Sequence, residues 1–498
     1  MIPLTLAHLA EATGASLFDA EGQPAGPDSA VGAVVVDGPV VTDSRECRAG
    51  SLYVARIGEH ADGHAFVDAA VRAGAVAALT SHPVLGVPHL VVDDVQTAFG
   101  ALARAVLDAA TDLTVIGVTG SSGKTSTKDL LAQVLATAGE TVAPVGSFNG
   151  EIGVPLTVCR VTPTTRFLVV EMGARGLGHI SYLTRIAPPR IGVVLNVGTA
   201  HVGEFGSRDN IARAKAELVE ALPLDGVAVL NLADHLVAAM AEQARGRVVF
   251  VSEAEHVIGA PRSPDLFATG TRLDPAGRAS FDLVTGEGTA GVALRLHGAH
   301  HVGNALAVAA VALECGLTLD AVTTALSGAT PTSRWRMEVT ERADGVTVVN
   351  DAYNANPESM DAALRALAAM ATDSAGRHRR TWAVLGEMLE LGDDGRDHHL
   401  SVGASAVELG TDVVVAVGPG AEPIAVGARW GSGSLAVSDG RRLEPEVHTV
   451  ADADAAYELL CEKLRPGDVV LVKSSNAAGL RWLGDRVAES VHGSEVGS

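Results

Sequence analysis

The chain has 498 residues, 47% of them apolar and only 3% aromatic, with 55 glycines and a formal net charge of -22. That length exceeds one ordinary core and implies about three domains, and the acidic balance disfavours a nucleic-acid partner. Four scattered cysteines, Cys47, Cys159, Cys315 and Cys461, form no CxxC pair, which supports neither a zinc ribbon nor a disulfide scaffold and reads as reduced thiols in a cytosol.

The abundance of Ala, Val and Gly suits parallel sheets covered by small-residue helices. The opening MIPLTLAHLAEATGASL is interrupted by His8 and Glu11 and has no basic leader, so no signal peptide is expected. No apolar run reaches the ~20 residues that span a bilayer, so no membrane insertion is expected either.

Residues 1 to about 102 read as a helix, short strands such as AVVV and SLYVA, and then strand, helix, strand over DGHAFVDAAVRAGAVAAL. From about Asp112 the runs LTVIGVTG, RFLVVEMG, RIGVVLNVG and GVAVLNL alternate with helix-length stretches, which predicts a central parallel sheet. Residues from about 251 to 295 read as an antiparallel elaboration of it, followed by a helix that ends at Gly316. The Pro, Ser and Gly around SGATPTSRW mark a linker, and VTVVNDAYN, TWAVLGEM, DVVVAVG and DVVLVKSS form a third alternating series. The expected class is therefore α/β with three domains, 1–105, 106–329 and 330–498, the central one a P-loop parallel-sheet domain.

GVTGSSGKTSTKDLL has the physics of a phosphate cradle. Gly117, Gly120 and Gly123 permit tight turns, the amides of Ser121, Ser122 and Ser126 and the helix N-terminus face an anion, Lys124 neutralises it, and Thr125 can ligate magnesium. The usual loop has glycine five residues before Gly123, where this chain has Val118, and no guanine-reading Asn-Lys-x-Asp occurs. Glu171 ends FLVVE and His201 follows IGVVLNV, so both fall beyond strand carboxyl ends, on the loop's edge of the sheet. They could hold Mg2+, although imidazole is an uncommon magnesium ligand and His201 reads equally as a packing histidine. Lys215 reads first as a solvated helix lysine paired with a glutamate. Asp351 could accept ribose hydroxyls or belong to a turn-forming Asx cluster, and Glu387 is either functional or a helix-start acid.

Taken in order, these pieces resemble the Mur ligase family over almost the whole chain. TGSSGKTSTK matches its ATP loop, and the trailing Ser-Thr-Lys favours the D-alanyl-D-alanine-adding branch. FNGEIGVPLT, VVEMGARGLGHI, AHVGEFGS, NDAYNANPESMDAAL and AVLGEMLELG continue the match, and TDSR, GSLYVA and DGHAF resemble its uridine-nucleotide domain. The resemblance implies a Rossmann-like C-terminal domain and an ATP- and Mg2+-dependent, cytoplasmic, monomeric amide ligase. Its implied partners are UDP-N-acetylmuramoyl-tripeptide and D-alanyl-D-alanine. It further implies magnesium on Thr125, Glu171 and His201 and carbamylation of Lys215. Asn304 and Arg334 would contact adenine and phosphate and Asp351 the ribose, with Tyr353, Asn354 and Asn356 on the same face. Ser44 and Arg45 would contact the uridine diphosphate, Asn149 the substrate, and Lys473 a substrate carboxylate.

The chain departs from the pattern at Gly203-Glu204, at His301 and at Asn476, where the family commonly has Glu-Gly, asparagine and arginine. A sibling ligase or a folylpolyglutamate synthase adding a single amino acid would use the same chemistry, and a non-catalytic nucleotide-binding protein would keep the fold without turnover.

Overall fold

The computed structural model describes residues 1–58, 61–199, 202–260, 262–434 and 445–490. Among them lie three large sheets. The N-terminal sheet has six strands, with Pro24–Ala25 and Val40–Val41 at its edges, and Val40–Val41, Ser51–Val54, Ala75–Thr80 and His89–Val91 run parallel. DGHAF forms no strand: Asp62 accepts the amide of His64 and starts a short 3-10 turn, Gly63–Phe66, before the helix Val67–Arg72.

The central sheet has nine strands. Thr114–Thr119 lies between Thr165–Glu171 and Ile191–Val194, and Val227–Asn231 and Arg247–Ser252 extend the parallel series. The expected elaboration is present: Leu266–Leu273 joins parallel to Arg247–Ser252, and Arg278–Thr285 and Gly288–His297 follow antiparallel. Alternation along these strands loads both faces. Ile116, Val118, Val193 and Val229 pack under the helices Lys124–Leu135 and His301–Glu314. Val115, Val170, Val194 and Leu230 join the opposite core, which continues through the helix Val95–Asp108 into the N-terminal sheet.

The C-terminal sheet has six strands, five parallel and one antiparallel edge strand, Glu338–Glu341. It too is covered on both faces, by Pro357–Ala369 and Gly395–Glu408 on one side and by Ala453–Lys463 and Leu480–Glu489 on the other. Loops beyond the carboxyl ends of Thr347–Asn350 and Val469–Lys473 line the same cavity as the loop beyond Thr114–Thr119. No described helix is long and apolar enough to cross a membrane.

Candidate active site

A cavity of about 1410 Å³ is lined by all three sheets' loops. Its floor is the segment Gly120–Ser126. Gly123 sits at φ 81°, so the turn requires glycine, and the Asn304 side-chain oxygen lies 2.7 Å from where a Cβ would stand. Asn196 braces the loop by accepting the amides of Ser121 and Ser122 at 2.9 Å each, and Ser121 Oγ accepts the Gly198 amide at 2.9 Å. Lys124 Nζ folds back onto the carbonyl of Gly120 at 2.6 Å. Burial pushes its pKa down, Glu171 opposes that shift, and Arg336 adds to it.

Thr125 begins a polar chain across the floor. Its hydroxyl donates to Glu171 Oε2 at 2.9 Å and lies 2.8 Å from Ser147 Oγ, while Asn149 Nδ2 donates to Glu171 Oε1 at 2.9 Å. Arg336 reaches over from the C-terminal side, donates through Nη2 to Ser147 Oγ at 2.6 Å, stacks on Tyr353 and leaves its buried Nε without a partner. Lys215, on Arg208–Glu220, is 7% exposed and lines the cavity, with no described acid paired to it, so the solvated-lysine reading fails. Burial first, and then the nearby Lys124 charge, hold its amine well below the ordinary lysine range.

Asn304, Asp351, Tyr353, Asn354, Asn356, Asn149 and Lys473 all line this cavity. Several are already engaged. Asp351 accepts the Met337 amide at 2.9 Å and Lys473 Nζ at 2.6 Å, and Lys473 spends its other donors on the carbonyls of Asp351 and Asn354. Asn356 caps Pro357–Ala369 in a reciprocal box with Ser359.

The structure leaves three expected residues off the cavity wall. Arg334 pairs with Asp485 at 2.9 Å and stacks on Trp335, and Arg336 lines the wall instead. Trp335 and Met337 both take left-handed backbone, φ 58° and 50°, which redirects the alternation that would put Arg334 inward. Ser44 and Arg45 form a short 3-10 turn, with Arg45 exposed and paired to Asp43, while Thr42 and Arg56 line the cavity. His201 lies outside the described residues, and no group of three or more His, Cys, Asp or Glu suited to a metal occurs among those described. Glu387 starts no helix; it sits in the loop after Thr381–Leu385, against Gly420.

Sequence reasoning also missed Asn196, Ser147 and Arg56, which carry no local motif. The Arg-x-Arg of SRWRM was the available signal for Arg336.

Residues 118–312 match the Mur ligase middle domain, 335–476 the Mur ligase glutamate ligase domain, and 39–106 the Mur ligase family catalytic domain. The chain belongs to the Mur ligase family. Among its Mur ligase relatives, the UDP-N-acetylmuramoyl-tripeptide–D-alanyl-D-alanine ligase of Mycobacterium tuberculosis is 48% identical, with 99% of each chain covered. The Escherichia coli ligase of the same name is 35% identical, covering 78% of this chain and 82% of the relative. Among solved Mur ligases, MurF from Acinetobacter baumannii superposes with a TM-score of 0.83 at 30% identity, covering 98% of this chain and 99% of that one. MurF from Thermotoga maritima in complex with ADP gives 0.74 at 28% identity, covering 91% and 98%.

Proposed function

We propose that this Mur ligase joins D-alanyl-D-alanine to UDP-N-acetylmuramoyl-tripeptide, converting ATP to ADP and phosphate. The observation that carries the reading is one cavity in which a braced phosphate loop meets C-terminal loops 351–356 and 473–477, in a chain that matches relatives of that activity end to end. A carboxylate is inert to amines until one of its oxygens becomes a leaving group. The tripeptide carboxylate therefore takes ATP's γ-phosphoryl group to form an acyl phosphate, the dipeptide amine attacks that carbonyl, and phosphate leaves.

Within this scheme Lys124 exchanges its carbonyl partners for phosphate oxygens and, with the loop amides, steadies charge on the transferring group. Arg336, rather than Arg334, supplies a second cation, its buried unpartnered Nε being the donor that a phosphate oxygen would satisfy. Asn304 stands beside Gly123 for the adenosine, and Asp351, Tyr353 and Asn354 form the facing wall. Asp351 orients Lys473, whose committed donors make it a positioning residue. The residues fit Mg2+: the Thr125 hydroxyl and Glu171 carboxylate are hard oxygen donors, hydrogen-bonded together beside the loop, and the ion held there would neutralise phosphate charge. Burial disfavours the Lys215 ammonium and so favours the amine, the form that would combine with CO2 and release a proton to give a carbamate, turning a cation into an oxygen donor. The N-terminal domain takes the uridine-nucleotide end of the substrate in the cytoplasm.

The test is phosphate release by purified protein with Mg-ATP, UDP-tripeptide and D-alanyl-D-alanine, each omitted in turn. Release that needs all three and yields the UDP-pentapeptide supports the assignment. Release with a single amino acid in place of the dipeptide would overturn it.

A further inference from the structure

The reaction above uses the phosphate-loop end of the cavity and leaves two guanidinia on its wall unused, those of Arg56 and Arg175. Arg56 follows the strand Ser51–Val54, and Thr42 follows its parallel neighbour Val40–Val41; both line the cavity. They sit beyond the carboxyl ends of parallel strands, where α/β sheets collect ligands.

The Arg56 side chain is held by one hydrogen bond, which a second bond relays to the central layer. Its Nε donates to Gln96 Oε1 at 3.1 Å, and Gln96 Nε2 donates to the main-chain oxygen of Glu151 at 2.7 Å. Gln96 lies in the first turn of Val95–Asp108, and Glu151 lies in the central-sheet loop that carries Asn149. The amide bridge therefore fixes the guanidinium relative to both the N-terminal and the central layers. Its two Nη groups bond to no described residue; the Glu151 carboxylate acts on it at a distance without forming an ion pair. An arginine held through Nε alone presents a two-nitrogen fork, the geometry that grips an oxyanion. From the central side, Arg175 and His179 line the same cavity. His179 Nδ1 accepts the Arg175 amide at 3.3 Å.

We propose that Arg56 is an oxyanion clamp for the uridine-nucleotide peptide substrate, gripping its diphosphate or a peptide carboxylate at the junction of the N-terminal and central domains. This rests on the functional reading above for the identity of the ligand, and on the Arg56–Gln96–Glu151 bridge for the site.

The test compares full-length wild type with Arg56→Gln, Arg56→Lys and Gln96→Leu. Kinetics give KM for each substrate, and calorimetry gives affinity for UDP-N-acetylmuramoyl-tripeptide and for UDP-N-acetylmuramate without peptide. Arg56→Gln is expected to raise KM for the UDP-tripeptide at least about tenfold, as loss of a charge-assisted hydrogen bond does. The values for ATP and dipeptide should move less than about twofold. Arg56→Lys should recover only part of the loss, because an ammonium lacks the fork, and Gln96→Leu should give a smaller rise. Weakening of both nucleotides equally assigns the diphosphate as the gripped group, and weakening confined to the tripeptide ligand assigns a carboxylate. Unchanged affinity for both overturns the clamp. A wild-type protein that binds the nucleotide through Arg56 but makes no pentapeptide would overturn the reaction and leave the clamp standing.

Discussion

The phosphate loop and the linker that crosses above it are built on opposite principles. Gly120–Ser126 is a local device: a strand, a glycine at φ 81° and a helix N-terminus within a few consecutive residues. The segment Arg334–Met337 is a non-local one. Its shape depends on Asp485, Asp351 and Ser147, which are 150, 14 and 189 residues away from their respective partners Trp335, Met337 and Arg336. The first can be read from a short string of letters, whereas the second needs the packed molecule to decide which arginine faces in.

The largest effect should come from the local device. Lys124→Ala is expected to lower kcat roughly 10²–10³-fold with an unchanged circular dichroism spectrum, since it removes a charge that acts on the transferring phosphoryl group. The linker should divide its two arginines. Arg336→Ala should lower phosphate release roughly tenfold to a hundredfold. Arg334→Ala, which removes the exposed partner of Asp485 while Trp335 and Asn350 still donate to that carboxylate, should leave kcat within about threefold and stability within about 1 kcal/mol. Equal losses in both variants would show that the linker, and not one guanidinium, matters.

A third variant separates stability from activity on the cavity wall. The Lys215 amine is held well below the ordinary 10.5 by burial and by Lys124. Between that depressed value and 10.5 the unfolded chain binds the extra proton, so stability rises with pH across this window and the full penalty applies below it. In CO2-free buffer, Lys215→Met should therefore be more stable than wild type at neutral pH, lose the rise toward alkaline pH and lower turnover less than Lys124→Ala does. Denaturant melts across pH check this. The smallest effect belongs to Asn356→Ala, expected to destabilise by about 1 kcal/mol through loss of its helix cap, with KM for ATP unchanged.

Legibility in the sequence followed the same division. The strands Thr114–Thr119, Thr165–Glu171, Val227–Asn231 and Val469–Lys473 stood out because buried parallel strands are continuous apolar runs. The short edge strands Glu140–Val142 and Glu446–Val450 did not, being brief and mixed in polarity. Thr125, Glu171 and Asn149 were singled out by their motifs, and Thr125 and Asn149 each donate to Glu171. The burial of Lys215 was hidden because a lysine on an amphipathic helix reads as solvated. Lys473 was expected to meet a ligand carboxylate, but its three protein acceptors come from Asp351 and Asn354, more than a hundred residues away in sequence.

The central claim is that ATP's energy passes through the substrate carboxylate. UDP-tripeptide labelled with 18O in its terminal carboxyl group, turned over with Mg-ATP and D-alanyl-D-alanine, tests it directly by mass spectrometry of the released phosphate. Transfer of one labelled oxygen into phosphate per amide bond formed is the predicted result. Unlabelled phosphate, or label appearing in AMP, would contradict the acyl-phosphate route.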